Sequence, residues 1–194
     1  NDNISDTFDG WIDLFGWGTG RNPTNISGGG ETYIFTDWGI NQIGNDTPYT
    51  WRTLTDKEWH YLRYERNNAE RLIGVAQINE VNGLILLPDD WTCPEGVGFQ
   101  AGFHTERDDT YYAAYQKISH SDWSKMEQAG AIFLPAAGSR YVSQTDLVQF
   151  YGCYWTASLY NDYSACIFQF FSNGADIDNL NRSMGLSVRL VRKL

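Results

Sequence analysis

Apolar and polar positions change period several times along this chain, and each change marks an element. Leu72 to Ile78 and Leu84 to Leu87 are short, mostly apolar runs separated by Asn79-Glu80-Val81-Asn82-Gly83. That pattern predicts a β-hairpin in which Asn82-Gly83 supplies the positive φ angles of a tight turn. Pro88-Asp89-Asp90-Trp91 ends its second strand. Ala131 to Leu134, Tyr154 to Ser158, Ala165 to Phe171 and Leu186 to Val191 read as further strands. Ser172-Asn173-Gly174 predicts a turn into a short strand near Ala175 to Ile177.

Two stretches carry helical signals instead. Thr55-Asp56-Lys57-Glu58 is a capping box, and Trp59, Tyr61 and Leu62 continue an apolar stripe as far as Arg66. A second helix is predicted from Ser121-Asp122-Trp123, with Trp123 and Met126 inward and Gly130 as its stop. Asn1 to Pro48 reads as loop, with Trp11, Phe15, Trp17 and Trp38 expected to anchor it on the core. The Gly28-Gly29-Gly30 run lacks the G-K-[ST] ending and the preceding strand of a phosphate loop. Thr92 to Ser119 also reads mostly as loop. Two short helices, many short strands and long connections predict an α+β fold with a small, mainly antiparallel sheet. No repeat or linker divides the 194 residues, so residues 1–194 are expected to form a single domain.

A formal charge of −10 argues against nucleic acid and against electrostatic docking on anionic membrane. No apolar run has the length of a membrane span, so no membrane insertion is expected. The chain opens on polar residues without a signal peptide. Three cysteines, Cys93, Cys153 and Cys166, exclude a complete disulfide framework. Cys153 and Cys166 are either a pair on neighbouring strands or buried free thiols. His60, His104 and His120 are scattered without metal-ligand spacing, so neither a metal nor another cofactor is expected.

One segment stands apart in composition. From Tyr141 to Asn181 there is no Lys, Arg or Glu, and Tyr, Phe, Asn, Ser, Gly and Asp fill the gap. Such residues give rigid contact area and adaptable hydrogen bonds at small entropic cost, as binding surfaces do. The alternative is a buried β-rich core with polar turns.

Several motifs in order carry a resemblance: Trp11-Ile12-Asp13-Leu14-Phe15-Gly16-Trp17-Gly18, Trp51-Arg52-Thr53-Leu54-Thr55, Asn82-Gly83-Leu84-Ile85-Leu86-Leu87-Pro88-Asp89-Asp90-Trp91 and Phe133-Leu134-Pro135-Ala136-Ala137-Gly138. Tyr154-Trp155-Thr156-Ala157-Ser158, Arg182, Gly185 and Ser187-Val188-Arg189-Leu190-Val191 complete the set. Together they resemble the secreted C-type-lectin-fold proteins of gut anaerobes. That group is akin to the major paralogous domain (FISUMP) family and to the variable proteins of diversity-generating retroelements. The resemblance implies a C-type lectin-like fold whose chain ends meet, an extracellular or cell-surface location, and a ligand face within residues 156–184. Only ten residues precede Trp11, which implies that the family's first strands are missing here.

In retroelement proteins, adenines in Asn codons of the last segment are randomised, and such codons cannot become Lys, Glu, Gln, Met or Trp. Those five types make up about 15% of this chain, so Thr156 to Asn181 should hold about four; it holds one, Gln169. The resemblance also makes Ala165, Phe168 and Phe170 scaffold positions. Alternation then turns Ile167, Gln169 and Phe171 toward a ligand, unless both faces of the strand are buried. Tyr160, Asn161, Asp162 and Tyr163 before the strand, and Asp176, Asp178, Asn179, Leu180 and Asn181 after it, are expected as exposed loop tips. Asp176 and Asp178 suit a hard cation such as calcium, yet the E-P-N, Q-P-D and W-N-D signatures of sugar-binding C-type lectins are absent.

The expected function is a non-catalytic binding module, adhesin or receptor-like, for a protein, peptide or glycan outside the cell. One alternative is a structural domain of a surface assembly. Another is an enzyme of the formylglycine-generating fold group, but Cys153 and Cys166 do not match the surroundings of that group's cysteine pair. No Ser-His-Asp or paired-carboxylate motif appears either.

Overall fold

A computed structural model describes residues 15–20, 34–103, 115–142 and 144–192. Trp11 to Leu14, the Gly28–Gly30 run and His104, all weighed above, lie outside the described residues. Among the described residues, eleven strands and two α-helices form an α+β arrangement of four small sheets rather than one.

The first helix begins where the capping box predicts. Thr55 accepts from the Glu58 amide, Glu58 accepts from the Thr55 amide, and α1 spans Asp56–His60. It then widens into a π-helical turn over Tyr61–Glu65. Helix α2 spans His120–Gln128 and starts one residue ahead of the predicted Ser121, because Ser119 caps it by accepting from the Asp122 amide. Met126 is fully buried, Trp123 half-buried, and the helix stops at Gly130 as predicted.

Strands β1 (Trp51–Thr53), β2 (Ile73–Ile78), β3 (Val81–Leu86), β4 (Gln116–Ile118) and β5 (Ile132–Pro135) make up the first part of the fold. β4, β2, β3 and β5 form a mixed sheet in that order, with β2 and β4 parallel. β4 falls in the segment read from sequence as mostly loop. The β2–β3 hairpin is tighter than the Asn82-Gly83 signal implies. Asn79 and Glu80, at φ 50° and 66°, make a two-residue turn, and Asn82 pairs with Gln77 inside the ladder. Gly83 serves close packing instead: a Cβ there would lie 2.4 Å from the Phe133 ring.

The second part contains β6 (Ser139–Tyr141), β7 (Gln144–Asp146), β8 (Gly152–Leu159), β9 (Ser164–Phe171), β10 (Gly174–Asn181) and β11 (Leu190–Arg192). β8, β9 and β10 form an antiparallel sheet with β9 in the centre. β10 runs eight residues, well beyond the predicted Ala175 to Ile177. The strand expected over Leu186 to Val191 is reduced to β11, which pairs antiparallel with β1. Ser187 instead bridges Tyr154, and Leu186 is buried.

Three apolar layers order these pieces. The largest holds Trp59, Val75, Leu84, Leu134, Tyr154, Phe168 and Phe170, filling the space between the two larger sheets. A second, with Ala76, Ile85 and Met126, seals the other face of the β2–β3 hairpin against α2. The third joins Trp17 and Trp38 to Cys153, Trp155, Ala165 and Ile167. Trp17 is held there by donation from its Nε1 to the Thr156 carbonyl at 2.8 Å. β9 is therefore covered on both faces, which overturns the outward assignment of Ile167: its side chain is fully buried. Cys153 and Cys166 are both free and buried, on adjacent strands but opposite faces, since Cys153 lies across the ladder from Gln169.

Candidate functional site

The β8–β9–β10 sheet separates the residues expected to share one face. β9 covers about 23 Å at roughly 3.3 Å per residue, so its two ends form distinct surfaces. At one end, Leu159, Tyr160 and Tyr163 are 53%, 61% and 61% exposed. Their turn is held by its own polar groups. The Asn161 side-chain oxygen accepts from the amides of Tyr163 and Ser164, both at 2.9 Å, and the Ser164 carbonyl accepts from the amides of Tyr160 and Asn161. This is an Asx turn, the reason Asn and Asp suit such positions. The neighbouring turn uses Asn181 the same way, accepting from the Ser183 amide and hydroxyl. The Arg182 amide donates to the Tyr163 carbonyl and ties the two turns together. Asp162 is exposed on the same tip.

At the other end lies a polar relay on the strand face that ends in Phe171. Tyr151 donates to Gln169 Oε1 at 2.8 Å, and Gln169 Nε2 donates to Asp178 at 3.0 Å. Phe171, half-buried, stacks on Tyr151 with centroids 4.7 Å apart. Burial raises the Tyr151 phenol above its ordinary pKa. Asp176, Asp178, Asn179, Leu180 and Asn181 are not loop tips: they belong to the edge strand β10. Asp176 is exposed but engaged, accepting from the Tyr64 hydroxyl at 2.9 Å and from the Ile177 amide. The same phenol also contacts the Ala175 carbonyl, which covers part of the β10 edge. Asp176 and Asp178 are thus each tied into separate hydrogen bonds. Among the described residues no group of three or more His, Cys, Asp or Glu could hold a metal ion. Among the same residues no helix is long and apolar enough to cross a membrane.

Sequence reasoning missed two things. Leu159 joins the exposed tip because β8 continues past its predicted end at Ser158. A cleft of about 470 Å³ opens between β5, β6 and the 185–189 segment, lined by residues as distant in the chain as Phe15, Phe133 and Arg189. No local pattern marks such a place.

Against known proteins, residues 107–191 match the family model described as Domain of unknown function (DUF8237). The matched stretch includes β8 to β10 and both exposed ends of that sheet. No curated protein and no solved structure matches the chain.

Proposed function

We propose that the chain is a non-catalytic, extracellular binding module. Its primary contact surface is the tip formed by Leu159, Tyr160, Asp162 and Tyr163. The observation that carries this reading is a pair of tyrosines, each 61% exposed, on a turn braced by hydrogen bonds from the amides of Tyr160, Asn161, Tyr163 and Ser164. Large side chains held out on an ordered turn lose little entropy on contact, so they suit anchor positions. The partner is a protein, peptide or glycan. The C-type-lectin resemblance is compatible with the pairing of β1 with β11, which brings Trp51 opposite Arg192.

The likeness to retroelement variable proteins gains support from one feature. β10 is held to β9 by an eight-pair backbone ladder, while most of its side chains are exposed or half-buried. A strand fixed by its backbone tolerates exchange of Asp176, Asp178, Asn179 and Leu180. We include such diversification in the proposal. Sequencing the 3′ end of the gene across a natural population should find substitutions confined to adenine-bearing codons between Leu159 and Asn181. An invariant segment leaves a dedicated module with one partner.

The binding test uses arrayed glycans and displayed peptides, probed with wild type and with the Tyr160→Ala, Tyr163→Ala double variant. Ligands retained by wild type should be lost by the variant, with the melting temperature moved by no more than a few degrees. Unchanged capture by the variant would remove the tip from the contact surface.

A further inference from the structure

The cleft between β5, β6 and the 185–189 segment has a composition of its own. Its walls are Phe15, Phe133, Leu134, Pro135, Leu186 and Val188, a mostly apolar surface in the size range of small-molecule sites. Among the described residues its charged lining is Arg140 and Arg189. Among the described residues no carboxylate lines it, in a chain that carries ten more negative than positive charges. A hollow lined by two arginines on an acidic protein is a local reversal of charge, and it favours an anion there.

The two arginines differ in role. Arg140 is buried and donates to the Val142 carbonyl at 2.6 Å, and its own amide and carbonyl pair with Gly185. It builds the wall, holding the β6–β7 hairpin in place with Val142 at φ 55°, a conformation β-branched residues rarely adopt. Arg189 is exposed at the mouth and makes no ion pair among the described residues. At the cleft floor, the buried Tyr154 hydroxyl donates to the Pro135 carbonyl at 2.8 Å. Burial raises its pKa, and the nearby Arg189 charge opposes that rise. Arg189 therefore lies close enough to bear on the floor of the cleft.

We propose that this cleft binds a small amphiphilic carboxylate, with the apolar body against Phe133, Leu134 and Val188 and the carboxylate on Arg189. One planar guanidinium fork matches one carboxylate by two parallel hydrogen bonds. The site shares no residue with the tyrosine tip, so it operates independently of the binding surface proposed above.

Decanoate is the probe, with decanol and decyltrimethylammonium as controls of the same chain length, followed by isothermal titration calorimetry. Saturable one-to-one binding of decanoate is expected, with decanol and the cation at least about tenfold weaker. Arg189→Gln, an exposed substitution, should weaken decanoate about tenfold and leave decanol unchanged. Ala137→Trp, which fills the cleft from an exposed position, should abolish decanoate binding while the folded spectrum is kept. The Tyr160→Ala, Tyr163→Ala variant should bind decanoate as wild type does. Absence of saturable decanoate binding, equal binding of decanol, or an Arg189→Gln variant with wild-type affinity would each overturn the proposal.

Discussion

The indole of Trp59 lies flat on the ring of Phe168, with centroids 4.4 Å apart and planes within 3° of parallel. This contact joins the capped helix α1 to the central strand of the C-terminal sheet. Both rings are almost completely buried. The Trp59 Nε1 is itself buried without a hydrogen bond among the described residues.

The stack predicts an ordering of two substitutions. Phe168→Ala leaves a cavity beneath Trp59 and should cost about 3–5 kcal/mol. Trp59→Phe keeps an aromatic face and removes an unmet donor, so it should cost clearly less, about 1–2 kcal/mol. Urea unfolding of both variants measures the difference, and equal costs would mean that the stack is not the main contact.

Arg66 predicts a second outcome. Its buried guanidinium donates to the carbonyls of Leu62, Leu87 and Leu72 at 2.8 to 2.9 Å, with Asp89 3.4 Å away. Burial lowers its pKa, and Asp89 partly opposes this. Arg66→Met leaves those three carbonyls without this donor and should cost about 2–4 kcal/mol. Asp89 is 69% exposed, so Asp89→Asn should cost under about 1 kcal/mol. A variant in which Arg66→Met matched Asp89→Asn would show that the carbonyl clamp is not needed.

The capping box makes stability depend on acid. Arg52, and then the Thr55 amide and hydroxyl, hold the Glu58 carboxylate down at about 2. Its folded pKa is thus below the unfolded value of about 4.3. The contribution is fully present above that value and is lost as pH falls toward 2. Glu58→Gln should therefore flatten the acid limb of the stability curve, with its largest difference from wild type above pH 5. A difference that grew below pH 3 would contradict the assigned direction.

Thiol labelling gives a fourth outcome. Cys93 is exposed, whereas burial pushes the Cys153 thiol up to about 12 and raises Cys166 as well. A disulfide reagent at pH 8 should modify Cys93 quickly and Cys153 only on unfolding, since the thiolate is the reactive form. Mass spectrometry of labelled peptides reads this directly, and rapid native labelling of Cys153 would place it outside the core.

Much of the local structure was legible in the chain. The capping box at Thr55 and Glu58, the stop at Gly130 and the strand runs before and after Ser172-Asn173 depend on short-range chemistry, and short-range chemistry is written in neighbouring residues. The exposure of Tyr160 and Tyr163 followed from the same kind of signal, because Asn161 makes its turn with its own side chain. What neighbouring residues do not encode is which faces become covered. Ile167 alternates correctly along β9 yet is buried, because Trp17 and Trp38, more than a hundred residues earlier, close over it. Gly152 has no turn to make; the Phe170 ring leaves no room for a Cβ there, which is a fact about strand packing. The split of the expected ligand face into two ends, and the cleft beside Arg189, depend likewise on sheet order and on segments brought together across the chain. Periodicity is a property of one segment, whereas burial is a property of two, and only the folded packing of distant segments settles it.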